Sequence, residues 1–529
     1  MLMPPKTLGH LCCWLLVAWI AVRLIALVGG QLPLIAMKDS IGYGDSYNLM
    51  SAQHLAETGE IYPLLTPTHP TPAVYSPLLY LSIAFANFLL PSESLYLGAR
   101  IFELFCYLAC VFMAGLITRQ LIPVPSSFWI GTLMAASFAS MTFWVYQLRS
   151  DYPAIAFNLM SIFILLRSGQ RAARASRQLP SGMAALAGTC AGLAIQYRFT
   201  MGAAAAAGLL WLLLSRQWRA SWVFTALATA VGAGGYLLVA IHEPHIADHL
   251  LAVTGYLPDA SGAFALMRRS ITEPITMLGL GVLLPLIPMM LRFRHKRLTL
   301  LAVYGGFSFA LASLTGLNFG ANINYFYEAM FAVTPFAVLG FYKLWKIQRR
   351  PSVTAPALFV LIAYLVASGD TLPRVLATAA KVSVLNQRHE SLKAALKGAR
   401  ILSSIPDVAI LTPDRHITEP GVLHQLTLTQ GIDLAELNAM VLAGQFNVVV
   451  TQLADYSWRG VTVLHPKLKN AITGSYRPAC RIDEMLFHLP AGAVGLMAEK
   501  LSQAGCHAET CGAGLACPGL GVRIDLFTE

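Results

Sequence analysis

An acidic residue in a long polar loop is the first candidate for chemistry. Asp45 lies in Tyr43-Gly44-Asp45-Ser46-Tyr47, and the stretch runs on through Gly59-Glu60-Ile61-Tyr62-Pro63 to Tyr75-Ser76-Pro77-Leu78. A carboxylate near water can take a proton from a hydroxyl; read alone, it equally suits a helix N-cap on a surface loop. In either role it would add little stability, so Asp45→Asn is expected to leave folding nearly unchanged. Arg149-Ser150-Asp151-Tyr152-Pro153-Ala154 puts a charge pair at the mouth of an apolar segment. Tyr197-Arg198-Phe199-Thr200 sets one cation between two apolar segments, where an arginine is either a snorkelling anchor or an anion ligand. Asn322-Ile323-Asn324-Tyr325-Phe326-Tyr327-Glu328 ends on a glutamate at the edge of another apolar segment. A carboxylate at membrane depth is costly and needs a partner, which makes Glu328 the least ordinary of these residues.

A membrane scaffold has to position them. Hydrophobic residues make up 56% of the 529-residue chain and charged residues 12%, with a mean hydropathy of +0.60, well away from soluble globular averages. Apolar segments recur at Leu11–Val28, Ser76–Leu90, Leu95–Thr118, Phe128–Tyr146, Tyr152–Leu166, Gly182–Ile195, Met201–Leu214, Trp222–Ile241, Pro274–Leu291, Leu298–Leu314, Tyr327–Tyr342 and Pro356–Ala367, then stop. The first is followed by no small-residue cleavage site and reads as a retained helix.

The net charge of +11 does not point to nucleic acid, because the basic residues sit in short clusters between apolar segments and not on one face. The clusters are Arg167 with Arg171, Arg174 and Arg177; Arg216 with Arg219; Arg292, Arg294, Lys296 and Arg297; and Lys343, Lys346, Arg349 and Arg350. Two segments separate each from the next, so all four are expected on the cytoplasmic side. That puts the loop 31–75, Asp151, Arg198, the loops 242–272 and 318–325, and everything after Ala367 outside. One conflict remains: an outside loop and a cytoplasmic Arg167 need an odd number of crossings, and four segments lie between them. Either Ser76–Leu90 or Phe128–Tyr146 must fail to cross.

From Gly369 charges return, and the β-branched runs Val408–Thr412 and Phe446–Thr451 read as strands of a small α/β domain. The expected division is a membrane domain over 1–368 and a soluble domain over 369–529. One helix is marked by Asp433 as N-cap, Glu436 three residues later, Leu434, Leu437 and Val441 on one face, and Gly444 past its end. Four of the nine cysteines, Cys480, Cys506, Cys511 and Cys517, fall in this domain. An oxidising compartment would allow two disulfides, in any of three connectivities, and the lack of a CxxC pair argues against zinc. His242, Glu243, His245, Asp248 and His249 are ligand types, but Pro244 interrupts them, so a solvated or structural loop is expected.

The acidic first loop with its Tyr-Pro and Tyr-Ser-Pro-Leu elements, Arg149-x-Asp151 opening a helix, the base before Thr200, and Asn322-x-Asn324-Tyr325-x-x-Glu328 occur in an order that resembles the GT-C superfamily of integral-membrane glycosyltransferases. The branch it is similar to contains protein mannosyltransferases and lipid A aminoarabinose transferases. The resemblance implies an α-helical polytopic membrane protein with about 11–13 transmembrane helices and a small C-terminal α/β soluble domain. It also implies transfer of a hexosyl or pentosyl unit from a polyprenyl-phosphate-linked donor to a lipid, glycan or protein acceptor, with inversion, outside a bacterial inner membrane. Asp45 would be the general base, and Asp151 would orient the acceptor, bind a metal or tune Asp45. Arg198 and Arg149 would hold the donor phosphate, and Tyr75, Tyr197, Asn322, Asn324, Tyr325 and Glu328 would line the substrate site. Ser46 stands where many relatives carry a second carboxylate, which weakens a metal site in the loop and leaves a divalent ion an open question. Two other readings use the same residues: a transporter or lipid flippase in which Asp151, Arg198 and Glu328 line a path, and a structural subunit without activity.

Overall fold

The computed structural model describes residues 32–41, 44–66, 73–92, 94–142, 144–174, 178–251, 260–291, 296–318, 321–346, 371–412, 415–417, 433–452, 464–483, 485–492 and 495–508, besides the isolated residues 18, 29 and 427. It divides into two compact units, 1–64 with 72–386 and 65–71 with 387–529.

The first unit is built from α1 (Asp45–Thr58), α2 (Pro77–Leu89), α3 (Leu97–Leu121), α4 (Pro125–Ala136), α5 (Asp151–Arg174), α6 (Ser181–Tyr197), α7 (Ala203–Leu214), α8 (Trp218–His242), α9 (Ala260–Thr272), α10 (Pro274–Leu291), α11 (Lys296–Thr315) and α12 (Tyr327–Lys346). Prolines open α2 and α4, where the missing N–H has no helical partner to lose. Among the described residues α3, Asp151–Gln170 of α5, α8 and α11 are each long and apolar enough to cross a membrane. The 25 residues of α3 rise about 37 Å, more than the roughly 30 Å of a hydrocarbon core. The chain is a polytopic α-helical membrane protein. Ten of the twelve expected apolar segments fall on α2–α8 and α10–α12. Leu11–Val28, apart from Ala18, and Pro356–Ala367 lie outside the described residues.

The helix ends sort into two groups. At one, the Tyr96 hydroxyl just before α3 donates to Ser46 Oγ in α1 at 2.9 Å, and Phe102 of α3 stacks on Tyr197 at the end of α6. At the other, Arg297 of α11 and Gln170 of α5 both donate to the Gln120 carbonyl of α3. The basic clusters begin at this second end, and the candidate chemistry gathers at the first.

α2 stays at the first end. It starts where the Ser76 hydroxyl meets that of Tyr236, which bonds the Ile195 carbonyl near the end of α6. Near its own C-terminus, Asn87 bonds the Leu95 carbonyl and the Ala99 N–H where α3 begins. Both ends of α2 therefore lie at the first end, so the apolar segment Ser76–Leu90 does not run the length of the bundle. The expected segment Phe128–Tyr146 is not one helix: α4 stops at Ala136, and a single turn, Ala139–Thr142, follows.

α6 and α8 run parallel and very close. A Cβ at Gly188 would sit 2.3 Å from the Phe224 carbonyl oxygen, and Gln196 Nε2 donates to the Gly232 carbonyl at 2.5 Å. Small residues permit such an approach, and packing and polar contacts hold helices together where lipid gives no hydrophobic drive.

The second unit contains a six-stranded sheet made of β1 (Ile401–Ser403), β2 (Arg415–Ile417), β3 (Val448–Gln452), β4 (Tyr476–Ile482), β5 (Met485–Pro490) and β6 (His507–Ala508), in the order β2-β1-β3-β5-β4-β6. β1 pairs parallel with β2 and β3, while the β3–β5, β4–β5 and β4–β6 pairs are antiparallel. Leu402 and Val449 pack against Leu437 and Val441 of α13 (Ala435–Leu442) and Leu468 and Ile472 of α14 (Pro466–Ser475). The run Phe446–Thr451 is a strand largely as expected, but Val408–Thr412 is not. Pro406 and Asp407 instead start a helical turn, Pro406–Ala409, and the strand lies earlier, at β1. Asp433 accepts the Ala435 N–H at 2.9 Å from one position before the N-cap Leu434, and Gly444 ends the helix at φ +65°. Cys480 and Cys506 form a disulfide with Cα atoms 5.5 Å apart. Cys511 and Cys517 lie outside the described residues.

Candidate active site

Asp45 stands in the first turn of α1 with 0% of its surface exposed, so it is not the loop residue near water that the sequence suggests. Its Oδ2 accepts the Ile41 N–H and its Oδ1 the Leu148 N–H, each at 3.1 Å. Asn48, one turn on, donates to the Leu148 carbonyl at 2.6 Å, which ties the start of α1 to that residue on both sides. Ahead of Asp45, the buried Arg100 guanidinium gathers the carbonyls of Leu34, Met37 and Asp39. Asp45 is thus neither an exposed cap nor indifferent to folding: an asparagine there keeps one acceptor oxygen and turns an amide donor toward a backbone donor.

A second carboxylate is held in another way. Asp151, in the first turn of α5, accepts Arg198 Nη1 on Oδ1 and Asn324 Nδ2, at 2.9 Å, on Oδ2. Asp151 is 2% exposed and Arg198 6%. A buried ion pair persists only when its remaining polar atoms find partners, which Asn324 supplies for the carboxylate. The guanidinium carbon also lies 4.2 Å from the centre of the Tyr325 ring, a cation–π contact. Glu328 begins α12 and is buried, with Oε1 accepting from Asn158 Nδ2 at 2.6 Å and the Tyr304 hydroxyl at 2.9 Å. Arg198, Tyr325 and Glu328 line a small recess with Thr200, Met201, Ser308, Leu311, Ala312 and Thr315.

The segment Gln147–Asp151 joins the two carboxylates. Leu148 bonds Asp45, Asp151 bonds Arg198, and between them Arg149 points Nη2 to within 3.8 Å of the place a Cβ would occupy on Gly44. Arg149 is steered by Nε donation to Gln147 Oε1 at 3.0 Å and by the Trp144 ring, 4.4 Å from its guanidinium carbon. Asp45 and Arg149 therefore form one group, and Asp151, Arg198, Asn324, Tyr325 and Glu328 another.

Three other candidates have structural partners. The Tyr197 hydroxyl pairs with Ser82 Oγ at 2.8 Å, and its ring stacks on Phe102 and Phe157. Asn322 caps the 3-10 turn Ile323–Phe326 by accepting the Ile323 N–H at 2.7 Å. Tyr75 is bound through its backbone, to Tyr80 and Tyr62. Of the histidine-rich loop, Glu243 and His249 are buried and bond backbone groups of the first loop, while His245 and Asp248 form a partly exposed pair at 3.3 Å. Burial lowers the proton affinity of the His249 imidazole and pushes the Tyr62 phenol well up.

Sequence reasoning missed Asn158 and Tyr304, which hold Glu328, and Glu103 of α3. Glu103 is fully buried, with the Arg149 backbone N–H beside its carboxylate and the charges of Asp45 and Arg149 within electrostatic reach. A lone acid inside the apolar segment Leu95–Thr118 was the available signal. Among the described residues no three His, Cys, Asp or Glu side chains are placed to hold a metal ion. Asp45 and Asp151 each direct both oxygens at N–H donors.

No protein-family model matches the chain, and no curated protein matches it in sequence. Solved structures do match. ArnT from Cupriavidus metallidurans in the apo state aligns over 90% of this chain and 97% of its own, at 13% identity and a TM-score of 0.60. The chain has the GT-C fold. The same ArnT bound to undecaprenyl phosphate aligns over 89% of this chain and 98% of its own, at 14% identity and a TM-score of 0.57. The GT-C fold also relates it to the Archaeoglobus fulgidus oligosaccharyltransferase in complex with zinc and sulfate: 90% of this chain, 73% of that one, 12% identity and a TM-score of 0.51.

Proposed function

We propose that this chain is a glycosyltransferase that moves a hexosyl or pentosyl unit from a polyprenyl-phosphate-linked donor to a lipid, glycan or protein acceptor, with inversion. The observation that carries this reading is the recess at Arg198, a buried cation on a GT-C fold, at the same end of the bundle as Asp45. The ArnT match bound to undecaprenyl phosphate supports a lipid phosphate as its ligand. The basic clusters at the opposite end support an extracytoplasmic site in a bacterial inner membrane. The membrane domain is taken as 1–368 and the extracytoplasmic domain as 369–529.

In the reaction the acceptor O–H gives its proton to the Asp45 carboxylate, and the acceptor oxygen forms a bond to the anomeric carbon. The bond from that carbon to the phosphate oxygen breaks, and its electron pair leaves with the polyprenyl phosphate. Arg198, and Arg149 from the Asp45 side, stabilise the charge that develops there. Asp151 holds Arg198 in place, and Asn324, Tyr325 and Glu328 contact sugar hydroxyls or phosphate. Tyr75, Tyr197 and Asn322 shape the walls behind them.

The test uses purified protein in nanodiscs with labelled polyprenyl-phosphate sugars and envelope lipid acceptors. Glycosylated product that disappears in Asp45→Asn supports transfer. Movement of labelled lipid across vesicles with no product under any acceptor would replace this reading with a flippase.

A further inference from the structure

Two buried side chains after α8 hold the backbone of a loop nearly two hundred residues away. Glu243 accepts the Ile61 N–H at 2.7 Å on one oxygen and the Tyr62 N–H at 3.1 Å on the other. His249 Nδ1 accepts the Ala73 N–H at 2.8 Å, and its Nε2 pairs with the Pro63 carbonyl at 2.6 Å. A carbonyl only accepts, so the imidazole must carry its proton on Nε2 and keep Nδ1 bare. Glu243 is 8% exposed and His249 0%. Neither Ile61–Pro63 nor Ala73 belongs to a helix or strand, so these groups depend on outside partners. The Tyr62 ring stands edge-on to His249 with centroids 5.4 Å apart, and the Tyr62 hydroxyl donates to the Tyr75 carbonyl at 2.8 Å. The hold therefore reaches Tyr75 and the start of α2.

We infer that Glu243 and His249 are positioning residues for the loop that carries Tyr62 and Tyr75, and that His249 holds it only as a neutral imidazole, so that acid loosens the loop. A proton added at Nδ1 would face the Ala73 N–H, donor against donor, and that bond would be lost. The groups facing the imidazole are Asp248 and His245 on its own turn, Glu243, and the Tyr62 ring. Because burial lowers the affinity of His249 for its proton from an ordinary value of 6.5, the neutral form favours the ordered loop. Its contribution is complete above about pH 6.5 and fades as pH falls below that toward the folded value. Only the effect on turnover rests on the glycosyl-transfer reading; the hold on the backbone does not.

Amide hydrogen exchange on the full chain in nanodiscs, followed in peptides covering 60–66 and 73–80 and corrected for intrinsic rates, tests this directly. Protection should fall about tenfold in the parent between about pH 7.5 and about pH 5.5, one hydrogen bond's worth. His249→Phe, which keeps a ring and removes both bonds, should show the low protection at both pH values. Glu243→Gln should lower protection at 60–66 and keep the pH response. Parent protection that is flat across this range, or His249→Phe protected like the parent at the higher pH, overturns the inference. The parent titration and Glu243→Gln decide the matter even if His249→Phe fails to fold. Exchange that behaves as expected in a protein without transferase activity would sink the glycosyl-transfer reading alone.

Discussion

The two carboxylates of the site are fixed by opposite means. Asp45 is gripped by main-chain N–H groups, Ile41 from the strap before it and Leu148 from a distant turn. Asp151 is gripped by side chains, a guanidinium from the end of α6 and an amide from the turn before α12. Backbone donors survive every substitution but proline, so Asp45 is placed by the course of the chain itself. The Asp151 group can be taken apart residue by residue, and it is the half that opens into a recess. A position that must not shift and a position that adapts to a ligand call for these different supports.

Replacing the backbone-held acid should have the largest effect. Asp45→Asn is expected to slow transfer by about 10² to 10⁴, roughly 3 to 5.5 kcal/mol of barrier. It should also cost about 1–3 kcal/mol of stability, because a donor amide replaces one accepting oxygen. Turnover at the parent rate would remove Asp45 from the chemistry and end the comparison.

On the side-chain-held half, Arg198→Ala should destabilise the protein by about 3–5 kcal/mol, since it leaves Asp151 buried and charged without its partner. The double change Arg198→Met with Asp151→Leu should recover most of that stability and none of the affinity for polyprenyl phosphate. Recovered stability together with retained lipid-phosphate binding would show that Arg198 serves only the fold. Thermal denaturation and lipid-binding titrations read the two effects separately.

The sheet unit serves as a control for acid effects. Buried His488 pairs Nε2 with Thr451 Oγ1 at 2.9 Å, and burial lowers its pKa from 6.5 to about 4. A lowered histidine favours the folded state while neutral. Its contribution is full above about pH 6.5 and is lost as pH falls toward about 4, on the order of 3 kcal/mol in all. His488→Gln should flatten this part of the pH dependence of unfolding without altering exchange in the loop held by His249.

Glu328→Gln should have the smallest effect. Its amide oxygen can still accept from Asn158 and Tyr304, so stability should change by no more than about 1 kcal/mol. A rise in KM for the sugar donor at unchanged stability would mark the second Glu328 oxygen as a ligand contact. No change in KM would restrict Glu328 to packing.

Much of this site could be read from residue order alone. Arg149, Asp151, Arg198, Asn324 and Glu328 are polar groups at the edges of apolar runs, where their cost marks them out, and Asp45 is legible as an acid in the long first loop. Their grouping could not be read that way, because the Leu148 N–H that grips Asp45 is 103 positions away. α2 has the composition of a membrane span, and only its contacts, with Tyr236 at its start and with the start of α3 at its end, place both its ends at one end of the bundle. Glu103 was visible as an acid in an apolar run, but its nearness to Asp45 and Arg149 depends on packing between helices. In the sheet unit, Pro406 and Asp407 outweighed the β propensity of the residues that follow them, a local signal that a search for β-branched runs passes over.

The close parallel approach of α6 and α8 links two places that have been treated separately. α6 ends at Tyr197, directly before Arg198, and α8 ends at His242, directly before Glu243. With Gly188 against the Phe224 backbone and Gln196 latched to Gly232, the two helices pack as one plank. The guanidinium and the loop anchor are thus carried by the same packed pair. The spacing between the recess and the Tyr62 backbone is then set, like a built-in ruler, by the register of these two helices.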